Sequence, residues 1–200
     1  ADKIELAGRF LTSADSVLIG GAMSFPFLAA VGHAIGASLC APEDIPRALD
    51  TIERDVRGRR RLRLPEDLVV ARRLDAGSET RTLTDVEVPD GWMGLDIGPR
   101  TAERYAREIE TAATVFWNGP MGAFEHEPFA AGTRAVAHAL ALSGGTTVVG
   151  GGETAEALCS FGLQDRVSHI STGGGAALEL LSGRTLPGVR ALEGQPVAGS

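Results

Sequence analysis

The residues most able to do chemistry in this sequence are glycines, and they stand where short apolar runs stop. Gly20-Gly21, Gly98, Asn118-Gly119, Gly150-Gly151-Gly152 and Gly173-Gly174-Gly175 each close such a run. Glycine lets backbone N–H groups approach a ligand closely. A glycine turn that leads into a helix offers free N–H groups and the positive end of the helix dipole, which together favour phosphate. Two turns have this form: Gly150-Gly151-Gly152-Glu153-Thr154 and Ser171-Thr172-Gly173-Gly174-Gly175. One such turn could be no more than a tight strand-to-helix connection. Five of them are harder to explain without an anionic ligand.

The class of ligand is narrowed by what is missing. A Walker A loop needs Gly-Lys-Ser/Thr, and Lys3 is the only lysine among 19 cationic residues. The protein-kinase motif set is also absent. Gly150-x-Gly152-x-x-Ala155 matches a dinucleotide fingerprint. However, it follows the fifth apolar run rather than the first, and no acidic residue ends a strand about 20 residues later. A dinucleotide-dependent oxidoreductase domain therefore stays open as an alternative. Arg59 to Arg63 could bind an anion but reads first as a solvated charge run beside Glu66-Asp67. His33, His126, His138 and His169 share no ligand spacing, and Cys159, beside Leu158, reads as core.

These turns need a frame. Six strand-like runs are expected: Ser16–Ile19, Asp67–Ala71, Met93–Ile97, Thr114–Trp117, Thr146–Val149 and Val167–Ile170. Helical periodicity lies between them, at Ile4 to Leu11, Pro42 to Arg57, Pro99 to Ala112, Pro128 to Leu142, Glu153 to Phe161 and Ala176 to Leu181. Near-continuous apolar strands alternating with helices imply an α/β fold: Rossmann-like and doubly wound, with a mainly parallel sheet of about six strands and helices on both faces. Its ligand crevice would lie at the carboxyl ends of the strands. The polar stretch from Arg72 to Gly91 is expected to be a hairpin or excursion. Residues 1–185 are expected to form the nucleotide-binding domain, and residues 186–200 an extended tail.

Length and charge agree with a single globular unit. The chain has 200 residues, a net charge of −7 and 44% hydrophobic residues, enough to bury a core. Its acidic balance argues against a nucleic-acid surface. No apolar run is long enough for a membrane span and none reads as a secretory signal. Two cysteines make no disulfide framework, so a cytoplasmic protein is expected.

Longer motifs carry a resemblance. Leu95-Asp96-Ile97-Gly98-Pro99-Arg100-Thr101, Trp117 to Glu125, Gly150 to Ala155 and Ser168 to Gly175 resemble, in order, segments of the phosphoglycerate kinase family. Leu186-Pro187-Gly188-Val189 and Ala1-Asp2-Lys3-Ile4 are similar to its C-terminal segment and its lysine-bearing stretch. The resemblance is to the C-terminal, nucleotide-binding half of that family. It implies phosphoryl transfer between 1,3-bisphosphoglycerate and ADP, with ATP/ADP and Mg2+ as ligands and a monomeric enzyme. Phosphoglycerate would be held by an N-terminal domain that this sequence does not contain, against which the tail 186–200 would pack. A module that holds nucleotide without catalysing alone is the other outcome.

The resemblance also implies roles. Lys3 would contact the terminal phosphates, and Gly173, Gly174 and Gly175 would offer amides to the phosphoryl group in flight. Gly21 and Gly98 would line the adenine pocket, and Glu125 would hold the ribose. Asn118, with Gly119 beside it, would contact phosphate, and Gly151, Gly152 and Thr154 would cradle it. Glu153 stands where the family usually has a magnesium-binding aspartate, and Ala22 where a third glycine is common. Glutamate is still a hard oxygen ligand, but it is one carbon longer.

Overall fold

The computed structural model describes residues 2–58 and 60–171. The elements run α1 (Asp2–Ser13), β1 (Val17–Leu18), α2 (Ser24–Ala30), α3 (Asp44–Arg57), β2 (Leu62–Arg63), β3 (Leu68–Ala71), β4 (Thr80–Leu83), β5 (Met93–Ile97), α4 (Pro99–Thr111), β6 (Thr114–Asn118), α5 (Ala131–Leu142), β7 (Thr146–Gly150), α6 (Gly152–Ser160) and β8 (His169–Ser171). The expected helix at 176–181, the Gly173 to Gly175 turn, the boundary at 185 and the tail lie outside the described residues.

The class is α/β, as expected, with parallel ladders flanked by helices. All six expected strands form, but they are hydrogen-bonded in three ladders rather than one sheet of six. The ladders are β1-β2, β4-β3-β5 and β6-β7-β8. β1-β2 and β6-β7-β8 are parallel. β3 and β5 are antiparallel, as are β3 and β4. The reason lies in the connection. A parallel neighbour needs a crossover, usually a helix, and residues 72–92 supply β4 instead. The polar excursion is therefore a hairpin strand, β4, that ends beside Leu68, after which residues 84–92 carry the chain back so that β5 starts beside Ala71 and runs antiparallel to β3.

Both faces of β6 are covered, because successive strand residues point to opposite sides. Trp117 faces the main core, with Val149 of β7, Tyr105 and Ile109 of α4, Val136 and Leu140 of α5, and Leu158 of α6. Phe116 faces the other way, its ring centroid 6.2 Å from that of Phe10 on α1. A second cluster joins Phe25 and Leu28 of α2 to Leu68 and Val70 of β3 and to Trp92. A third joins Ile4 and Ala7 of α1 to Ile19, Phe27 and Ala48.

One helix was not anticipated and two local expectations are corrected. α2 has no amphipathic period because it buries Phe25 and Phe27 in two different clusters, so no single face marks it. The Arg59 to Arg63 run is not simply a solvated face: Leu62-Arg63 is strand β2. Arg61 Nη1 donates to the carbonyls of Leu11 and Ala14, at 3.3 and 2.5 Å, closing the end of α1. Arg63 Nε donates to Glu108 at 3.2 Å. Finally, Cys159 is exposed. α6 buries Thr154, Ala157 and Leu158, and one step further round the helix points outward.

Candidate functional site

β6 and β7 run parallel and in register, so Asn118 pairs with Gly150 at their carboxyl ends. The chain then leaves β6 through Gly119-Pro120-Met121-Gly122 and leaves β7 through Gly151 into α6. Gly151 is the N-cap of α6 with φ +91. A side chain there would be strained, and its Cβ would lie 2.9 Å from Asn118 Nδ2. Asn118 and the α6 turn are thus in direct proximity, as an anion site would require.

Thr154 links the two turns. It is buried, and its Oγ1 accepts the Gly119 N–H at 2.7 Å. Thr154 therefore holds Gly119, a task that the sequence did not announce. Gly152 and Glu153 are exposed in the first turn of α6. Free N–H groups and an acid there can meet a phosphate and its counter-ion. Gly21 reaches the same segment from β1, donating its N–H to Met121 O at 3.0 Å.

The other expected residues stand further out. Glu125 is exposed four residues after Met121. Lys3 is exposed in α1. The next residue, Ile4, is buried in one cluster with Ile19, which follows β1, so Lys3 stands at the amino end of α1, on the side where β1 ends. Among the described residues no hydrogen bond or ion pair joins Lys3 or Glu125 to the Asn118–Gly151 cluster. Gly98 is buried, and its Cα faces the Asp67 carboxylate: a Cβ would come within 2.6 Å of Oδ1 and closer still to Cγ and Oδ2. Gly173, Gly174 and Gly175 are outside the described residues.

Beneath the rim lie residues that the sequence did not single out. Asp67 is buried and accepts the N–H groups of Arg100 and Thr101 at 2.9 and 2.8 Å, capping α4. Asp96 is buried in β5. Its Oδ1 accepts the Ile97 N–H at 2.9 Å and its Oδ2 the Gly132 N–H at 2.7 Å. Burial pushes its carboxyl up to about 7 despite those two bonds. An acid inside a five-residue apolar strand was a visible signal for Asp96. Thr133 gave none; its hydroxyl accepts two N–H groups from the turn after β6.

A metal would find a sparse donor set. Among the described residues no three His, Cys, Asp or Glu side chains gather as a metal cluster. Magnesium at nucleotide sites is commonly held by one or two carboxylates plus phosphate oxygens. One exposed carboxylate, Glu153, fits that arrangement and does not fit a cage built by protein alone. A surface groove between α1 and α3 is lined by Arg9, Arg47 and Arg54. Their pairing with Glu5, Asp44 and Asp50 leaves it neutralised, and none of the described glycine turns lines it, so the rim is the candidate site.

Comparison with known proteins gives a consistent result. The family model described as phosphoglycerate kinase matches residues 1–184. The chain is 52% identical over 192 residues to a phosphoglycerate kinase of Rubrobacter xylanophilus, covering 96% of this chain and 48% of that protein. It is 50% identical over 194 residues to one of Parafrankia, again covering 96% and 48%. The structure of phosphoglycerate kinase from Coxiella burnetii matches with a TM-score of 0.91 at 39% identity, over 96% of this chain and 50% of that one. That from Pyrococcus horikoshii matches with a TM-score of 0.78 at 32% identity, covering 96% and 49%. The chain spans about half the length of the relatives it matches.

Proposed function

The chain belongs to the phosphoglycerate kinase family, and from that premise we propose that it is the ADP/ATP-holding, C-terminal half of an enzyme that moves a phosphoryl group between 1,3-bisphosphoglycerate and ADP. The observation that carries this is the junction of Asn118, Gly119, Gly151 and Thr154 at the ends of two parallel strands. Backbone amides at the start of α6, with Asn118 beside them, bind and orient the phosphate chain. Glu125 accepts the ribose hydroxyls, and Gly21 and Gly98 bound the adenine side. Glu153 would hold Mg2+ together with phosphate oxygens, and the ion supplies charge neutralisation when bound.

Phosphoryl transfer needs little covalent work from the protein; positioning and charge stabilisation are nearly all of it. Lys3 brings a mobile ammonium to the moving group, and the Gly173 to Gly175 amides offer donors to it. The acceptor, 3-phosphoglycerate, would be held by a part of the protein outside this chain. Losing one arginine donated across the site costs about 10³–10⁵ in rate in comparable phosphotransferases. The 200-residue chain alone should therefore turn over at background. Among the described residues no helix is long and apolar enough to cross a membrane; a cytoplasmic, monomeric enzyme is part of the same proposal.

A coupled assay with 3-phosphoglycerate and ATP tests this. Activity should appear only when the complementary half of a relative is added. Turnover by the chain alone would require an acceptor site within it. No turnover with either would support a nucleotide-binding module.

A further inference from the structure

The segment between Asn118 and Glu125 carries both ends of the proposed nucleotide site, and it is gripped in its middle by one buried hydroxyl. Thr133, in the first turn of α5, is fully buried. Its Oγ1 accepts the N–H of Met121 at 3.1 Å and that of Gly122 at 3.2 Å. The N–H next to it in sequence, that of Gly132, is held by Asp96 Oδ2 at 2.7 Å. Gly122 is confined between that carboxylate and the Phe129 carbonyl: a Cβ there would come within 2.6 Å of Phe129 O and closer to Asp96. Ala123 N–H then bonds to Leu95 O at 2.8 Å, and Met121 O receives the Gly21 N–H at 3.0 Å. α5 and β5 therefore fix the turn through Thr133, with Asp96 locking the helix end from which Thr133 projects.

We propose that Thr133 is a positioning residue for the nucleotide site, setting the spacing of the Asn118-Gly119 end and the Glu125 end of one segment through the Met121 and Gly122 amides. This rests on the nucleotide reading of that segment. Thr133 touches no ligand in this scheme. Its hydroxyl satisfies two buried donors that would otherwise move to find partners, and an unsatisfied buried amide is costly enough to shift a turn.

The test compares variants of the 200-residue chain: Thr133→Val, which keeps the shape and removes the acceptor, and Thr133→Ser, which keeps it. Thr147→Val is the control. Thr147 Oγ1 also accepts a backbone N–H, that of Ser168 at 3.0 Å, but at the amino end of β7, away from the rim. ADP affinity is measured by calorimetry well below each thermal midpoint, and exchange of the Met121 and Gly122 amide protons by NMR. Thr133→Val should weaken ADP binding by about tenfold and speed exchange at both amides. Thr133→Ser should restore both, and Thr147→Val should lower the thermal midpoint with ADP affinity within about twofold. Faster exchange in Thr133→Val with unchanged affinity would overturn the proposal while leaving the nucleotide reading intact. An equal affinity loss in Thr147→Val would overturn it too, as a general effect of stability. Absence of ADP binding by the unsubstituted chain would remove the nucleotide reading, and the proposal with it. If Thr133→Val does not fold, Thr133→Cys, a weaker acceptor in the same place, should lose several-fold in affinity; unchanged affinity there would overturn the proposal.

Discussion

Gly98→Ala would place a methyl against a carboxylate that has no room to retreat. The new Cβ would stand within 2.6 Å of Asp67 Oδ1, with Cγ and Oδ2 closer. Asp67 is 1% exposed and caps α4 through the Arg100 and Thr101 N–H groups, while Thr101 Oγ1 donates to it at 2.5 Å. Moving it off the helix end loses a cap worth about 0.5–2 kcal/mol and weakens buried hydrogen bonds worth about 1 kcal/mol each. Gly98→Ala should therefore cost ~2–4 kcal/mol, a fall in thermal midpoint of about 4–16 °C for a chain of this size. Asp67→Ala should cost ~2 kcal/mol by itself. Because the two share one contact, the double variant should fall short of the sum by ~1–2 kcal/mol. Urea unfolding of all four proteins, with ADP affinity measured in parallel, checks this. Strict additivity would refute the clash with Asp67. Loss of ADP affinity at unchanged stability would show that Gly98 acts on the adenine pocket alone.

Asp96 gives a pH dependence with a definite sign. Its carboxyl is raised from 3.8 to about 7, so between those values the folded chain keeps a proton that the unfolded chain has released. Stability from this group is fully present below pH ~4 and is lost as pH rises toward 7, by ~4 kcal/mol at most. Asp96→Asn should flatten the urea midpoint over that range, and an unchanged slope would exclude Asp96 as its source. Glu125→Ala should weaken ADP binding by about tenfold, the worth of hydrogen bonds to a charged acceptor, as read by calorimetry; equal affinity would remove Glu125 from the site. Glu153→Asp should keep the magnesium dependence of ADP binding and Glu153→Ala should lose it. If Glu153→Ala leaves that dependence unchanged, the acid serves only the α6 dipole, worth about 0.3–1 kcal/mol.

The elements were legible where one physical signal dominated. Val115 to Trp117 and Thr147 to Val149 are short apolar runs stopped by glycine, and both became strands in register. Partner direction was not legible. Leu68–Ala71 looks as apolar as Thr146–Gly150, yet it pairs antiparallel, because direction is set by the connection rather than by the strand. β2 was hidden inside an arginine run whose long side chains reach back to the ends of other elements. Of the candidate site, the glycine turns and Asn118 could be found from sequence because turn chemistry is local. The residues that hold them in place, Asp67, Asp96 and Thr133, act across 10 to 40 positions of sequence, and no local pattern announces such a bond.

The proposed site requires that nucleotide bind where β6 and β7 end. Amide NMR spectra of the chain with increasing magnesium-ADP measure that residue by residue. Saturable shifts are expected at Asn118, Gly119, Met121 and Gly122 and at 150–154, with Gly21 among the next to move and Asp44–Arg57 of α3 unchanged. Saturable shifts confined to α1 and α3, or no shifts at millimolar ADP, would contradict the proposed site.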